Sequence, residues 1–161
     1  MRRPAAGGFL LLALSCPAGA RAWGTVGHHV VARRAVQTLP EPLRAYFAAH
    51  ETFLVEHSLD PDRWREAGRP GEGPNHFFDL DAFPGEIDRD EAVHLARRGQ
   101  GSGSKGRAPW RIAEVLRDLA DHFRARDESG VLEDAAVLCH YVADIHVPFH
   151  ATENYDGQLT N

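Results

Sequence analysis

The stretch "CHYVADIHVPFH" (Cys139–His150) decides how this chain is read. It closes a run from about Val131 to Val147 that is apolar almost all round. Such a run predicts a helix that is central and buried. Within it, His140 and Asp144 stand four apart and share one helical face. Glu133 and Val137 lie further back along that face, and Pro148 ends or kinks the helix just before His150. A histidine and a carboxylate on one face of an otherwise apolar helix are costly unless satisfied. A divalent metal satisfies both at once, and so would a His–Asp hydrogen bond that only orders the core. His146 falls elsewhere on the helix, as a packing or surface residue. Cys139 points about 100° away from His140 and is expected in the core.

The rest of the chain builds outward from this helix. Pro109 suits the first turn of a preceding helix, whose apolar stripe is Ile112, Val115, Leu116, Leu119 and Phe123. Further upstream, "GHHVVARRAVQTL" places Val30, Val31, Ala35 and Leu39 at near-helical spacing, and Pro40 and Pro42 mark a break. "EPLRAYFAAHETFLVEH" continues as helix, with Leu43, Tyr46, Phe47 and Phe53 apolar. "SLDPDRWREAGRPGEGPNHFFDLDAFPGE" is rich in Gly, Pro and Asp and predicts mostly ordered loop, and "IDRDEAVHLARR" a short polar helix. "GQGSGSKGRA" (99–108) is flexible by composition and predicts a mobile surface loop. Strand alternation, internal repeats and phosphate-binding glycine patterns are absent from the sequence. The fold class predicted is all-α, a single-domain helical bundle with a buried central metal-binding helix.

The first 22 residues read as a secretory leader. Arg2 and Arg3 form a positive start, "GGFLLLALS" is an apolar segment too short to span a bilayer, and Ala20-Arg21-Ala22 has the small-x-small form of a cleavage site. Cleavage after Ala22 makes Trp23 the first mature residue and leaves 23–161 as one domain, secreted or periplasmic. The leader carries three positive charges and no acids, so its loss takes the formal net charge from −5 to −8. Affinity for duplex nucleic acid comes from neutralising phosphates with Lys and Arg, so stable duplex binding is not expected. Cys16 leaves with the leader and Cys139 remains alone, which excludes an intrachain disulfide. No further segment is apolar enough to cross a membrane. Ten histidines are many for this length and direct attention to metals or acid–base chemistry.

Two more clusters join the first. "PDRWREAGRPGEGPNHFFDLD" places Asp62 and His76 in a loop held by prolines and glycines, where Asp62 could equally cap a short helix. "WGTVGH" sets Trp23 and His28 five residues apart. In this order, "WGTVGH", "PDRW", "NHFFDLD" and "HYVADIHVPFH" resemble the superfamily of zinc-dependent phospholipases C and secreted 3′-nucleotidase/nucleases. The last of these fits the pattern H-Y-x-x-D-x-x-x-P-x-H at every fixed position, and the match spans residues 23–156.

The resemblance implies an all-α protein with three zinc ions. One zinc would take Asp62, His76, His140 and Asp144, with Asp144 bridging to another held by His28 and by the free amine and carbonyl oxygen of Trp23. The indole of Trp23 would help wall the site. The remaining zinc would take His150 and two ligands further along than Asn161, so the chain reads as truncated at its C-terminus. His29 competes with His28, and Asp60 with Asp62. The spacing from Trp23 favours His28, and the gap to His76 with the following Arg63-Trp64-Arg65 favours Asp62. His50, His57, His94 and His122 fall on polar faces and are expected in solvent.

A donor set of nitrogen and carboxylate oxygen without thiolate suits zinc. The implied reaction is hydrolysis of a phosphodiester by metal-activated hydroxide, with Asp62 as the candidate base. The partner is a phosphodiester substrate, either single-stranded nucleic acid or phospholipid, and the protein is expected to be a monomer. Trp64, Phe77, Phe78 and Tyr155 are candidate aromatic walls, and Asn154 and Asp156 candidate cleft residues. The non-enzyme alternative is a secreted helical zinc-binding protein whose metals are structural.

Overall fold

A computed structural model of the chain describes residues 23–82, 105–155 and 158–160. The fold is all-α. Helix α1 spans Thr25–Thr38, α2 Leu43–Ala49, α3 Glu51–His57, α4 Asp60–Glu66, α5 Ala108–Ala125 and α6 Glu128–Asp144. Short 3₁₀ turns cover Gly73–His76, Leu80–Ala82 and Pro148–His150. Among the described residues no helix is long and apolar enough to cross a membrane. The leader, the polar segment 87–98 and most of the glycine-rich stretch 99–108 lie outside the described residues.

Helix α6 is the centre of the bundle, as its all-round apolar sequence requires. Val131, Leu132, Ala135 and Ala136 meet Val36 of α1, Phe47 of α2, Leu54 of α3 and Leu119 of α5 in one buried cluster. Val137 and Tyr141 meet Val115 of α5 in a second cluster, with Trp64 and Ile112 at its margin. Asp127 begins α6 as a side-chain cap, accepting from the Gly130 amide at 3.2 Å. Tyr141 and Asp144 are almost fully buried at the far end.

Several local expectations shift. The buried face of α1 is His28, Ala32 and Val36, four apart each time, while Val30 points outward at 49% exposure. On α5, Val115 and Leu119 go inward, whereas Leu116 and Phe123 stay largely exposed. The predicted continuous helix after Pro42 breaks at His50 (φ −113°, ψ 16°) into α2 and α3. The stretch read as mostly loop contains α4. Pro61 near its start fixes a helical φ, acids occupy its first turn and arginines its last, which suits the helix dipole. Asp62 therefore sits on a helix and not in a loop.

The described end of the glycine-rich stretch is anchored. Gly106 (φ +81°) pairs with Phe78 across an isolated bridge, and a Cβ there would collide with the Phe77 carbonyl. Backbone amides continue this stitching. Asp79 donates to Lys105 O, Ala108 to Phe77 O, Phe78 to His150 O and Leu80 to Ala151 O. Segments 77–80, 105–108 and 150–151 thus form one knot, which fixes the turn ending at His76 against the one ending at His150.

Candidate metal centre

Four elements deliver side chains to one buried point. Helix α1 brings His28, α4 brings Asp62, the turn 73–76 brings His76, and α6 brings His140 and Asp144. His28, His76, His140 and Asp144 are each at most 2% exposed, and Asp62 is partly open. Two sets of potential donor atoms each fall within 4.8 Å of one another: His28, His140 and Asp144, and Asp62, His76 and His140.

Asp144 divides its two oxygens. Oδ2 lies 2.9 Å from His76 Nδ1 and 3.1 Å from His140 Nε2, while Oδ1 lies 3.4 Å from His28 Nε2 and 4.0 Å from His150 Nε2. A carboxylate so divided faces both donor sets at once. Asp62 Oδ1 is 3.8 Å from His76 Nδ1 and 3.9 Å from His140 Nε2. Metal–nitrogen and metal–oxygen bonds near 2.0 Å at tetrahedral angles space donors about 3.3 Å apart, so the closest spacings match the edges of such a polyhedron.

The protonation pattern also fits a cation. His140 Nδ1 donates to the Ser58 carbonyl at 2.8 Å, and a carbonyl can only accept. A neutral His140 therefore turns a bare lone pair at Nε2 toward His76 Nδ1, 3.1 Å away. Two nitrogens that close need a proton or a metal between them. Burial lowers the His28 pKa from 6.5 to about 4, with the neighbouring His140 adding to the effect, so its ring is neutral and able to ligate at pH 7. Burial by itself would raise the Asp144 pKa, but the neighbouring imidazoles of His140 and His76 outweigh it and hold the group ionised, well below the ordinary carboxylate range. Asp144 stands in the last turn of α6, at the negative end of the helix dipole. Its ion pairs among the described residues are all with imidazoles.

The remaining candidates fall around this point. Trp23 donates its indole N–H to Ala143 O at 3.1 Å, one residue before Asp144. Gly27 makes room for the ring, since a Cβ there would lie 2.8 Å from Trp23 Cε3. His150 is half-buried at the cluster's edge, and burial lowers its pKa against the opposing pull of Asp144. His28 stacks on His140 with ring centres 4.1 Å apart, whereas His29 lines a separate cleft with Thr25 and Arg33. Asp60 is engaged with His57 at 2.7 Å and Arg63 at 2.6 Å, away from the cluster. His146 is exposed. His50, His57 and His122 are half-buried and paired with Glu128, Asp60 and Asp127, so they are less open than their polar faces suggest; His94 lies outside the described residues. Burial pushes the Cys139 thiol up to about 11.

His76 and His150 also form the floor of a cleft of about 530 Å³. Arg65 and Lys105 bring positive charge to it and Asp79 and Glu153 negative charge, with Lys105 paired to Glu153, while Phe77, Phe149 and Tyr155 bring rings. Arg65 is held by Asp62 at 2.8 Å. Two expected walls are elsewhere. Phe78 is buried edge-on against Trp110, and Trp64 packs at the second core cluster beneath Arg69. Phe149 was not anticipated, because Pro148 turns it outward into the cleft only through the 3₁₀ turn. Asn154 accepts from the Leu159 amide at 2.7 Å, and Asp156 lies outside the described residues. Sequence reasoning also passed over Glu72, a buried acid four residues before His76.

An all-α bundle with a buried imidazole–carboxylate cluster beside an open cleft is the arrangement of a protein able to bind divalent metal. The chain belongs to the S1/P1 nuclease family, whose model matches residues 23–158. No curated protein and no solved structure matches it. Family membership implies a zinc-dependent hydrolase acting on phosphodiesters, with nucleic acid as the substrate class and secretion as the usual location.

Proposed function

We propose that this chain is a zinc-dependent phosphodiesterase that cleaves single-stranded nucleic acid. The observation that carries the reading is the position of Asp144, between His76 and His140 on one side and His28 and His150 on the other, where His76 and His150 also line a cleft with charged and aromatic walls. Asp62, His76, His140 and Asp144 would hold one zinc, His28 and Trp23 another with Asp144 shared, and His150 would serve a further ion. Bound zinc supplies Lewis acidity, which acidifies water and offsets charge building on phosphate oxygens. Arg65 meets the phosphate at the cleft edge and balances its charge, while a base stacks on the rings of Phe77, Phe149 or Tyr155. Asp62 faces both Arg65 and the imidazoles, where it can orient the attacking water and take its proton. The water oxygen bonds to phosphorus, the opposite P–O bond breaks, and the departing alkoxide takes a proton from solvent. The products are a phosphomonoester and an alcohol.

Maturation belongs to the same reading. Cleavage after Ala22 frees the Trp23 amine, and the indole bond to Ala143 together with the space left by Gly27 holds that residue beside Asp144. The leader is then both an address and a safeguard that keeps the centre incomplete until export.

Hydrolysis of bis(p-nitrophenyl) phosphate by zinc-loaded protein, abolished by a chelator and restored by zinc, is the expected result. No turnover by fully loaded, correctly processed protein would assign the metals a structural role. A following comparison of single-stranded DNA with phosphatidylcholine vesicles is expected to favour the nucleic acid; preference for the vesicles would reassign the substrate.

A further inference from the structure

Behind His76, on the side away from the metal donors, lies a second set of buried polar groups. His76 Nε2 is buried without a hydrogen bond, and among the described residues the carboxylate within 4 Å of it is Glu72, with Oε1 at 3.4 Å. Glu72 is only 4% exposed. Its carboxylate accepts the hydroxyl of Tyr141, the residue after His140 on α6. The Arg111 guanidinium lies beside the Tyr141 ring, its Cζ 5.8 Å from the ring centre, and reaches Glu114 at 3.5 Å. Glu114 pairs with Arg107, and Arg107 donates to Asn75 Oδ1 at 2.8 Å. Asn75 precedes His76, so the chain of contacts closes into a ring that begins and ends in the same 3₁₀ turn.

A buried carboxylate is costly unless its partners compensate for lost hydration. Tyr141 compensates one contact of Glu72, and the open proton site of His76 faces the same oxygen. Ligating imidazoles are ordinarily oriented by a carboxylate or carbonyl on their second nitrogen, which fixes the tautomer and raises ligand basicity. His140 has the Ser58 carbonyl in that position. We propose that Glu72 is the positioning residue of the metal centre, holding the proton of His76 on Nε2 so that Nδ1 presents its lone pair to the metal, with Tyr141 and the Arg111–Glu114–Arg107–Asn75 ring fixing Glu72. This rests on the metal-binding reading above and adds a residue that the recurring motifs do not contain.

The test uses the processed full chain, stripped with a chelator and titrated with zinc against a chromogenic competitor, with ¹⁵N-histidine NMR of the loaded protein. Glu72→Leu is expected to weaken zinc binding by about 10–100-fold and to mix the His76 tautomers. Glu72→Gln keeps an acceptor and removes the charge, so its loss should be smaller with one tautomer retained. Tyr141→Phe should weaken binding less than Glu72→Leu. Unchanged zinc affinity and unchanged His76 signals in the Glu72 variants would overturn the proposal. So would a fall in melting temperature without change in affinity or tautomer. If Glu72→Leu does not fold, Glu72→Gln and Tyr141→Phe decide the matter by the same readouts. Failure of the parent chain to bind zinc at all would instead sink the metal-binding reading.

Discussion

In the proposed centre, Asp144 is the carboxylate shared by both donor sets. Its two oxygens face different imidazoles, and it is 2% exposed with no Lys or Arg partner among the described residues. Replacement by Asn keeps the shape and removes the charge on which both donor sets depend. Asp144→Asn should lower phosphodiester hydrolysis by more than the about 10–100-fold that a supporting residue costs, and zinc per chain measured by elemental analysis should fall with it. Near-normal activity with full zinc content would remove Asp144 from the centre. The residue scale also shows which ambiguities the sequence left open. His28 and His29, or Asp60 and Asp62, are chemically equivalent in a string of letters. Helix phase separates the first pair, because only His28 shares the inward face with Ala32 and Val36. Competing partners separate the second, because His57 and Arg63 take Asp60.

At the scale of elements, α5 and α6 meet around a group unrelated to the metal centre. Asp134 on α6 has its Oδ2 buried without a hydrogen bond, 3.5 Å from His122 of α5. Burial raises its pKa above the ordinary 3.8, against the opposing pull of His122. The sign of the linkage follows. Above the raised folded pKa the carboxylate is charged in both states, and the folded state bears the burial cost; below 3.8 it is neutral in both, and the cost is gone. Asp134→Asn should therefore raise the urea midpoint relative to the parent at pH 8, with the difference shrinking as the pH falls through the folded pKa toward 3.8. A difference that grows on acidification would contradict this. Element types were legible where periodicity is long, as in α5 and α6. The break at His50 and the helix at Asp60–Glu66 were not, since a proline-rich stretch reads as loop until Pro61 is seen to sit at a helix start, where it fits.

Across the whole molecule, the proposed centre would act as a staple once metal is bound. Residues as far apart as His28, Asp62, His76 and His140 come from four elements that otherwise touch chiefly through α6. A metal bound there favours the folded state by mass action, worth about 2.7 kcal/mol at free zinc one hundred times the dissociation constant. Thermal melts should accordingly rise with added zinc and fall to a constant lower value with excess chelator. A melting temperature indifferent to both would mean that the four elements are held without the metal.

The sequence by itself determined the all-α class, the central position of the helix 131–147 and the placing of His140 and Asp144 together on its buried face. Those follow from local periodicity and from residue types whose burial demands a partner. Only the tertiary structure decided which oxygen of Asp144 faces which imidazole, that Phe149 lines the cleft while Phe78 and Trp64 are packed away, and that Glu72 stands behind His76. The physical reason is that distances between side chains on different helices depend on how whole faces pack, and no spacing along the chain encodes them.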